Sequence, residues 1–541
     1  MARIATLKGN DLRAMLIAGT GWLKKIVPSI NALNVYPVPD GDCGTNMLLT
    51  MHSSLAEAAK LDNDAGISVM SEAIAKGALM GARGNSGVIL SQIWRGLFDG
   101  MGTKETVDAQ GLSLALKQAS EVAYSALTNP VEGTILTVIR DAATAAEKEA
   151  SINGANLLST MEAAVVAARA SVKNTPNLLP VLKDSGVVDA GGHGLYTLLE
   201  GALLHLKADI DDRSPDLLTT RLPLDVQLPQ VPKDEEPFGF CTQFMIRGEN
   251  LNAAEIENKL MDMGSSLMVV GGSSAIRVHI HTLDPDEVLR VASSYGRLVD
   301  KEINNMDEQH IEFLVIHQEK ITKLGTAIIS VVNGDGMVDV FCDLGVSAVI
   351  PGGQTMNPST MDMLQTVEKV TPDNIIFLPN NKNVIPTALL VQSITEKRIE
   401  VIPTETIPQG ISALIAFIPE NDFEINVEQM KQAVSTVRTI EITKATRNTK
   451  ANGIKVEKGE IIGLLDGELL GVGDSNWNVI FQLLERIDAA TASILTLYFG
   501  KDADENEAEQ ISERIHQEYP EMKIGVVNGG QPNYTYIISL E

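Results

Sequence analysis

Asn34-Val-Tyr-Pro-Val-Pro-Asp-Gly-Asp-Cys-Gly-Thr-Asn46 is the most informative stretch of this sequence. Pro37 and Pro39 stiffen a short loop in which Asp40 and Asp42 bracket Gly41. A helix is predicted to open at about Gly44 or Thr45. Two carboxylates this close repel unless a cation lies between them, and all-oxygen ligands suit Mg²⁺. The helix start adds unpaired amides and a positive dipole end, both suited to phosphate. Helix capping alone would account for Asp42 or Thr45. It does not account for Asp40, Asp42, Thr45 and Asn46 gathering beside a rigid Pro-x-Pro, so metal binding is the favoured reading.

This loop lies within about 205 residues that read as helix after helix. Leu12, Leu16, Trp22 and Ile26 recur at helical spacing, as do Met47, Met51 and Leu55, and later Leu157, Met161, Val165 and Ala168. An all-helical domain over 1–208 is predicted. Pro215, Pro223, Pro229, Pro232 and Pro237 then fall in a polar, acidic stretch without a period, read as a linker over 209–238. From Phe240 the pattern turns to strands at Cys241–Ile246, Ser266–Val270 and Ile276–His281, with helices at Ala253–Met263 and Pro285–Ser293. That is a small α+β module over 239–320. Beyond it, over 321–541, predicted strands (Thr326–Val332, Ala348–Ile350, Asn374–Leu378, Ile399–Ile402, Ile524–Val527) alternate with helices (Thr360–Lys369, Pro386–Glu396, Ala508–Glu518). The alternation implies an α/β domain with a largely parallel sheet.

Composition limits the function classes. With 541 residues, two to four domains are the prior. Aromatics make up only 4% while Ala, Gly and Met are plentiful, which suits closely packed helices. A net charge of −27 argues against nucleic acid or an anionic membrane as partner, yet it allows nucleotides bridged by divalent cations. The three widely spaced cysteines, Cys43, Cys241 and Cys342, give no disulfide framework and point to a reducing cytoplasm. The first residues show no signal-peptide pattern, and no run approaches the ~18 apolar residues of a membrane span.

Three further segments carry chemistry. In Met80-Gly-Ala-Arg-Gly-Asn-Ser-Gly-Val88, Gly84, Asn85, Ser86 and Gly87 at a helix start could cradle phosphate, or form a turn capped by Ser86. Thr134 in Glu132-Gly-Thr-Ile-Leu136 could cap the next helix or touch nucleotide. Asp184-Ser-Gly-Val-Val-Asp-Ala-Gly-Gly-His-Gly194 sets four glycines around Asp189 and His193, for a close ligand approach or a tight helix–helix turn. P-loop, dinucleotide-binding and protein-kinase motifs are absent, so a nucleotide site must be of an unusual helical kind. The middle module offers Cys241, His279 and His281, with His310 further on; one thiolate and two imidazoles from adjacent strands match a zinc site with an open fourth position, and satisfied sheet histidines with a buried thiol are the alternative.

Taken together these segments resemble the nucleotide-binding domain of dihydroxyacetone kinases, and more closely the version in the catalytic chains of bacterial fatty acid kinases. The resemblance rests on Asn34–Met47, Gly81–Gln92, Glu132–Leu136 and Asp189–Gly192, with Phe240-Cys-Thr and Val278-His-Ile-His-Thr282 in the middle. It spans nearly the whole chain. It implies an eight-helix barrel that binds ADP or ATP through two Mg²⁺ ions held by Asp40 and Asp42. Thr45, Asn46, Gly84, Asn85, Ser86, Gly87 and Thr134 would line the phosphates, with Asp189, Ala190 and Gly191 near the nucleoside. It further implies Zn²⁺ at Cys241, His279 and His281, a DegV-like C-terminal domain, a fatty-acid-carrying DegV-family partner and homodimerisation. Cys43 stands where threonine is usual, and Asn31 and Asn34 are the nearest residues to a third aspartate of dihydroxyacetone kinases.

The implied reaction is ATP-dependent phosphorylation of a fatty acid carboxylate. A carboxylic acid with a pKa of about 5 is ionised at neutral pH and needs no general base. It needs neutralisation of repelling anions instead. The alternatives are a dihydroxyacetone or triose kinase, which lacks its substrate domain here, and a lipid-sensing scaffold. In the scaffold reading Gly352, Gly353, Gln354 and Thr355 would meet a carboxylate, although a plain turn also explains them.

Overall fold

The computed structural model describes residues 6–34, 41–127, 129–211, 240–248, 251–272, 275–282, 284–305, 325–353, 357–445, 449–451, 454–487, 489 and 492–541. Asp40, His310, Gln354, Thr355 and all but the first three positions of the expected linker lie outside these residues.

The N-terminal part is all helix: α1 (Gly9–Leu33), α2 (Cys43–Ala58), α3 (Ile67–Gly81), α4 (Gly84–Met101), α5 (Ala109–Ser125), α6 (Ile135–Ala150), α7 (Leu157–Leu178), the short α8 (Pro180–Ser185) and α9 (Ala190–Asp211). α1 to α7 pack in chain order, and α9 closes the ring against α7 and α1, so eight long helices form a barrel. Local chemistry sets several starts: the Asp108 carboxylate accepts from the Gly111 N–H at α5, and an Asn156/Ser159 capping box opens α7. Small residues set the close approach. A Cβ on Gly96 would lie 2.5 Å from the Ala119 Cα, and one on Gly100 2.5 Å from the Ala115 Cα, so α4 and α5 touch almost backbone to backbone. Met15, Met47, Met51, Met70, Met101 and Met161 fill the core between them. α9 runs through Asp211, three residues into the stretch read as a linker.

The middle part is one antiparallel sheet of order β2-β3-β1-β4, formed by β1 (Phe240–Arg247), β2 (Ser265–Gly272), β3 (Ala275–Thr282) and β4 (Arg297–Asn305). α10 (Ala253–Leu260) and α11 (Pro285–Ala292) contribute to its apolar core with Phe244, Ile246, Val278 and Ile280. β4 escaped the sequence reading because charged and polar residues interrupt its alternation. Lys24 of α1 pairs with Asp284, the N-cap of α11, at 3.1 Å.

The C-terminal part holds two sheets. β5 (Thr326–Val332), β6 (Ala348–Pro351), β7 (Asn374–Leu378) and β8 (Arg398–Val401) are all parallel in the order β6-β5-β7-β8. Between them run α12 (Asp335–Asp343), α13 (Thr360–Lys369) and α14 (Ile385–Ile394), followed by α15 (Ile407–Ile415) and α16 (Phe423–Val434). The second sheet contains β9 (Arg438–Lys444), β12 (Ile461–Leu465), β13 (Glu468–Gly473), β14 (Ile494–Phe499), β15 (Lys523–Asn528) and β16 (Tyr536–Leu540), in the order β13-β12-β9-β16-β14-β15. β10 (Thr449–Ala451) and β11 (Ile454–Val456) pair separately, and α17 (Asn476–Arg486) and α18 (Glu505–Glu518) cover the far face. α12, α15 and α16 supply the core between the two sheets.

The expectation of a largely parallel sheet holds for the first sheet and fails for the second, where only β14–β15 is parallel. The cause is local. Asp466-Gly467, with φ of 51° and 82°, makes a two-residue turn that folds β12 back on β13. An Asp-Gly between two apolar runs is a hairpin signal, and it was present in the sequence.

Candidate phosphate-binding end of the helical barrel

Four helix starts meet at one end of the barrel. Ser86 Oγ, in the first turn of α4, donates to the Cys43 carbonyl at the start of α2, at 3.3 Å. Asp189, just before α9, accepts through Oδ2 from the Gly192 N–H at 2.6 Å and also from the backbone N–H of Ile135, the first residue of α6. A Cβ on Gly194 would meet the Met47 side chain, so α9 and α2 run side by side from this end. α2, α4, α6 and α9 thus present their positive dipole ends in one region, an arrangement that favours phosphate.

Asp42 occupies the N-cap position of α2, but its side chain makes no capping bond. That work is done from α1: Asn31 Oδ1 accepts from the N–H of Gly44 at 2.8 Å and of Thr45 at 3.2 Å, and Asn31 Nδ2 donates to Thr45 Oγ1 at 2.9 Å. The capping explanation for Asp42 is therefore answered by another residue, and the Asp42 carboxylate has its partners elsewhere. One of them is Asn357, whose Nδ2 donates to Asp42 Oδ2 from the C-terminal part.

The Gly84–Gly87 segment opens α4 beside this carboxylate. Gly84 has φ of +56°, and a Cβ there would lie 2.7 Å from Asn46 Nδ2 and 3.3 Å from Asn357 Nδ2. A Cβ on Gly87 would lie 2.6 Å from Thr50 Oγ1 of α2. Asn46 is buried, and Asn85 is exposed and donates to Asn383 Oδ1 at 2.9 Å. Asp42, Thr45, Asn46, Gly84, Ser86 and Gly87 are therefore brought together.

The other two segments have clear structural duties. Thr134 caps α6, accepting from the Leu136 N–H at 3.4 Å and donating to the Val131 carbonyl at 2.7 Å. Gly133, with φ of +84°, donates to Thr137 Oγ1, which in turn donates to Glu132. Asp189 ties α9 to α6, and a Cβ on Gly192 would lie 2.8 Å from Val138 Cγ2, so this glycine serves helix–helix packing. Burial raises the Asp189 carboxyl to about 6 against the pull of its two backbone N–H donors. One turn on, burial lowers His193 to about 4, and neither of its ring nitrogens has a partner among the described residues.

In the middle sheet the backbone register sets Cys241 opposite His281 and Gln243 opposite His279. These positions alternate with the buried Thr242, Phe244, Val278 and Ile280. No group of three or more His, Cys, Asp or Glu residues arranged for a metal is found among the described residues. Cys43 is buried at the first position of α2, and Cys342 is half-buried.

A hydrated divalent cation with a polyphosphate fits the donor set at the barrel end. The donors are oxygens, the Asp42 carboxylate makes no capping bond to α2, and Asn357 Oδ1 is buried without a partner among the described residues. Asn357 was missed in the sequence because its role depends on a contact between positions 315 residues apart. The signal that could have drawn attention nearby is the Ser359/Asp362 capping box that opens α13.

Family models match a DAK2 domain over residues 37–204, a FakA-like (fatty acid kinase) middle domain over 237–313 and a FakA-like C-terminal domain over 327–541. Protein YloV of Bacillus subtilis is 39% identical over 560 aligned residues, spanning 99% of this chain and 100% of YloV. Among solved structures, the Streptococcus pneumoniae fatty acid kinase B3 protein loaded with linoleic acid is similar at 15% identity, over 34% of this chain and 76% of its own, with a TM-score of 0.27. Dihydroxyacetone kinase from C. freundii in complex with AMP-PNP and Mg²⁺ is similar at 17% identity, over 36% of this chain and 33% of its own, with a TM-score of 0.28. No described helix is long and apolar enough to cross a membrane.

Proposed function

The chain belongs to the FakA-like family of fatty acid kinase proteins, and we propose that it transfers the γ-phosphoryl group of ATP to the carboxylate of a fatty acid presented by a separate DegV-family carrier protein. The observation that carries this reading is the Asp42 carboxylate, released from capping by Asn31, among the converging helix starts of α2 and α4. Amides at these starts bind and orient the phosphates, and the Gly84 backbone gives them close access. Asp42, with Asp40 beside it in sequence, is the carboxylate pair for two Mg²⁺ ions, which would offset phosphate charge and polarise the transferring group.

The acceptor chemistry is balanced without a base. The carboxylate oxygen forms a bond to the γ-phosphorus, the bond to the bridging oxygen breaks, and ADP leaves with the electron pair. No proton has to be removed, which suits a site whose carboxylates are assigned to cations. The chain's own part is therefore to bind, align and shield repelling anions.

The test combines purified chain, a fatty-acid-loaded DegV-family carrier and Mg-ATP, with hydroxylamine to trap acyl phosphate as the hydroxamate. Carrier-dependent hydroxamate supports the proposal. Its absence, with phosphorylation of free dihydroxyacetone instead, would establish a triose kinase. A Zn²⁺ site at Cys241, His279 and His281 in the middle sheet is a separate part of the proposal.

A further inference from the structure

The C-terminal part meets the helical barrel at the end where α2 and α4 begin. These contacts come from the loops that follow β6 and β7 and from the helices α13 and α14 that they lead into, at the carboxyl edge of the parallel sheet, where α/β sheets carry their ligand-facing loops. The Thr360 N–H donates to the Ala82 carbonyl at 3.1 Å, and Thr360 Oγ1 reaches the same oxygen at 3.4 Å. Arg83 and Asp362 form an ion pair at 3.8 Å with side chains only 13% and 15% exposed. Asn85 and Asn383 pair at 2.9 Å on the periphery.

Asn357 sits at the centre of these contacts and is only 4% exposed. Its Nδ2 donates to Asp42 Oδ2 and lies over Gly84. Its Oδ1 is buried with no donor among the described residues. A buried amide oxygen loses its hydration and recovers nothing until a donor or cation reaches it. The same amide therefore grips the candidate carboxylate with one atom and holds an unmet acceptor beside it with the other.

We infer that Asn357 is a positioning residue of the phosphate-binding end, supplied by the C-terminal part, and that this end is complete only when that part is docked. The Nδ2–H fixes the orientation of the Asp42 carboxylate, as second-layer donors do for carboxylates that meet cations. Oδ1 is the acceptor for the hydrated divalent cation that accompanies a nucleoside diphosphate or triphosphate. The inference rests on the nucleotide reading above and adds a dependence on a residue outside the helical barrel. The opposite role, an amide that competes with the cation for Asp42, would give an effect of the opposite sign.

The experiment is calorimetry of ADP binding to the full chain across a series of Mg²⁺ concentrations, for wild type, Asn357→Leu and Asn357→Asp. Asn357→Leu is expected to weaken Mg-dependent ADP binding by about 10-fold or more at every Mg²⁺ concentration, the scale seen when a second-layer partner is removed. Asn357→Asp keeps an acceptor oxygen but loses the donor and places two carboxylates together. It is expected to bind weakly at low Mg²⁺ and to recover as Mg²⁺ rises. Unchanged affinity in Asn357→Leu would overturn the inference, and tighter binding would overturn it in favour of a contact that closes the site. Thermal melting checks that each variant folds. Should Asn357→Leu not fold, the Mg²⁺ dependence of Asn357→Asp decides, with a wild-type profile refuting the role. Failure of the wild type itself to bind Mg-ADP would instead remove the nucleotide reading.

Discussion

Replacing Asn31 by alanine should damage both the start of α2 and the use of Asp42, and by separable amounts. The Asn31 side chain supplies the acceptor for the Gly44 and Thr45 N–H groups and a donor for Thr45 Oγ1. Loss of a polar helix cap costs about 1 kcal/mol, with a range of about 0.5–2. In a helical domain of roughly 200 residues that is a fall in Tm of about 2–4 °C per kcal/mol. With Asn31 gone, the nearest replacement cap is Asp42 itself, already at the N-cap position and of a residue type that caps well. A carboxylate drawn into capping is withdrawn from the phosphate end, so Mg-ADP affinity should fall by about tenfold, equivalent to ~1.4 kcal/mol. Asn31→Asp restores the acceptor and adds a charge of the favourable sign at a helix N-terminus, so it should regain both stability and affinity. The assay is thermal melting with calorimetry of Mg-ADP binding, on Asn31→Ala, Asp42→Asn and the double variant. Because the two residues share one helix start, the double variant should bind no more weakly than Asp42→Asn alone. An Asn31→Ala protein that melts earlier yet binds Mg-ADP like wild type would refute the link between the cap and the carboxylate.

Asp189 and His193 should oppose each other in acid. The raised Asp189 pKa, about 6, makes the fold lose stability as pH rises from about 4 to 6, whereas the lowered His193 pKa, about 4, makes it lose stability as pH falls from about 6.5 to 4. Asp189→Asn should therefore steepen acid destabilisation and His193→Gln should relieve it, read as Tm against pH; parallel profiles for wild type and both variants would reject the pairing. Gly96→Val places a branched side chain where even a Cβ would lie 2.5 Å from the Ala119 Cα, and should cost about 1–3 kcal/mol or more in denaturant unfolding. A wild-type midpoint for that variant would show that α4 and α5 can separate freely. Elemental analysis of purified chain should find zinc in wild type and not in a Cys241→Ser/His281→Ala variant; zinc absent from both would remove that part of the proposal.

Much of the helical barrel was legible because apolar positions recur at helical spacing and because Asp, Asn, Ser and Thr mark its helix starts. Leu12, Trp22, Met47 and Met161 are core residues for that reason. The parallel strands β5 and β7 were legible as short apolar runs buried on both faces. The antiparallel second sheet was partly missed, although Asp466-Gly467 announces the β12–β13 turn, because strand order depends on pairings distant in sequence.

The sequence by itself determined the helical and α/β classes, the carboxylate-and-glycine character of the Asp40–Asn46 and Gly84–Gly87 segments, and the relation to FakA-like fatty acid kinase chains. Those features are written in residue type and short spacing, which fix local geometry directly. Only the tertiary structure decided that Asn31 caps α2 and thereby releases Asp42. It alone showed Thr134 and Asp189 committed to helix starts, and Asn357 reaching Asp42 from 315 residues away. A side chain's role depends on which donors and acceptors remain unmet once distant segments pack, and that balance is set by the three-dimensional arrangement.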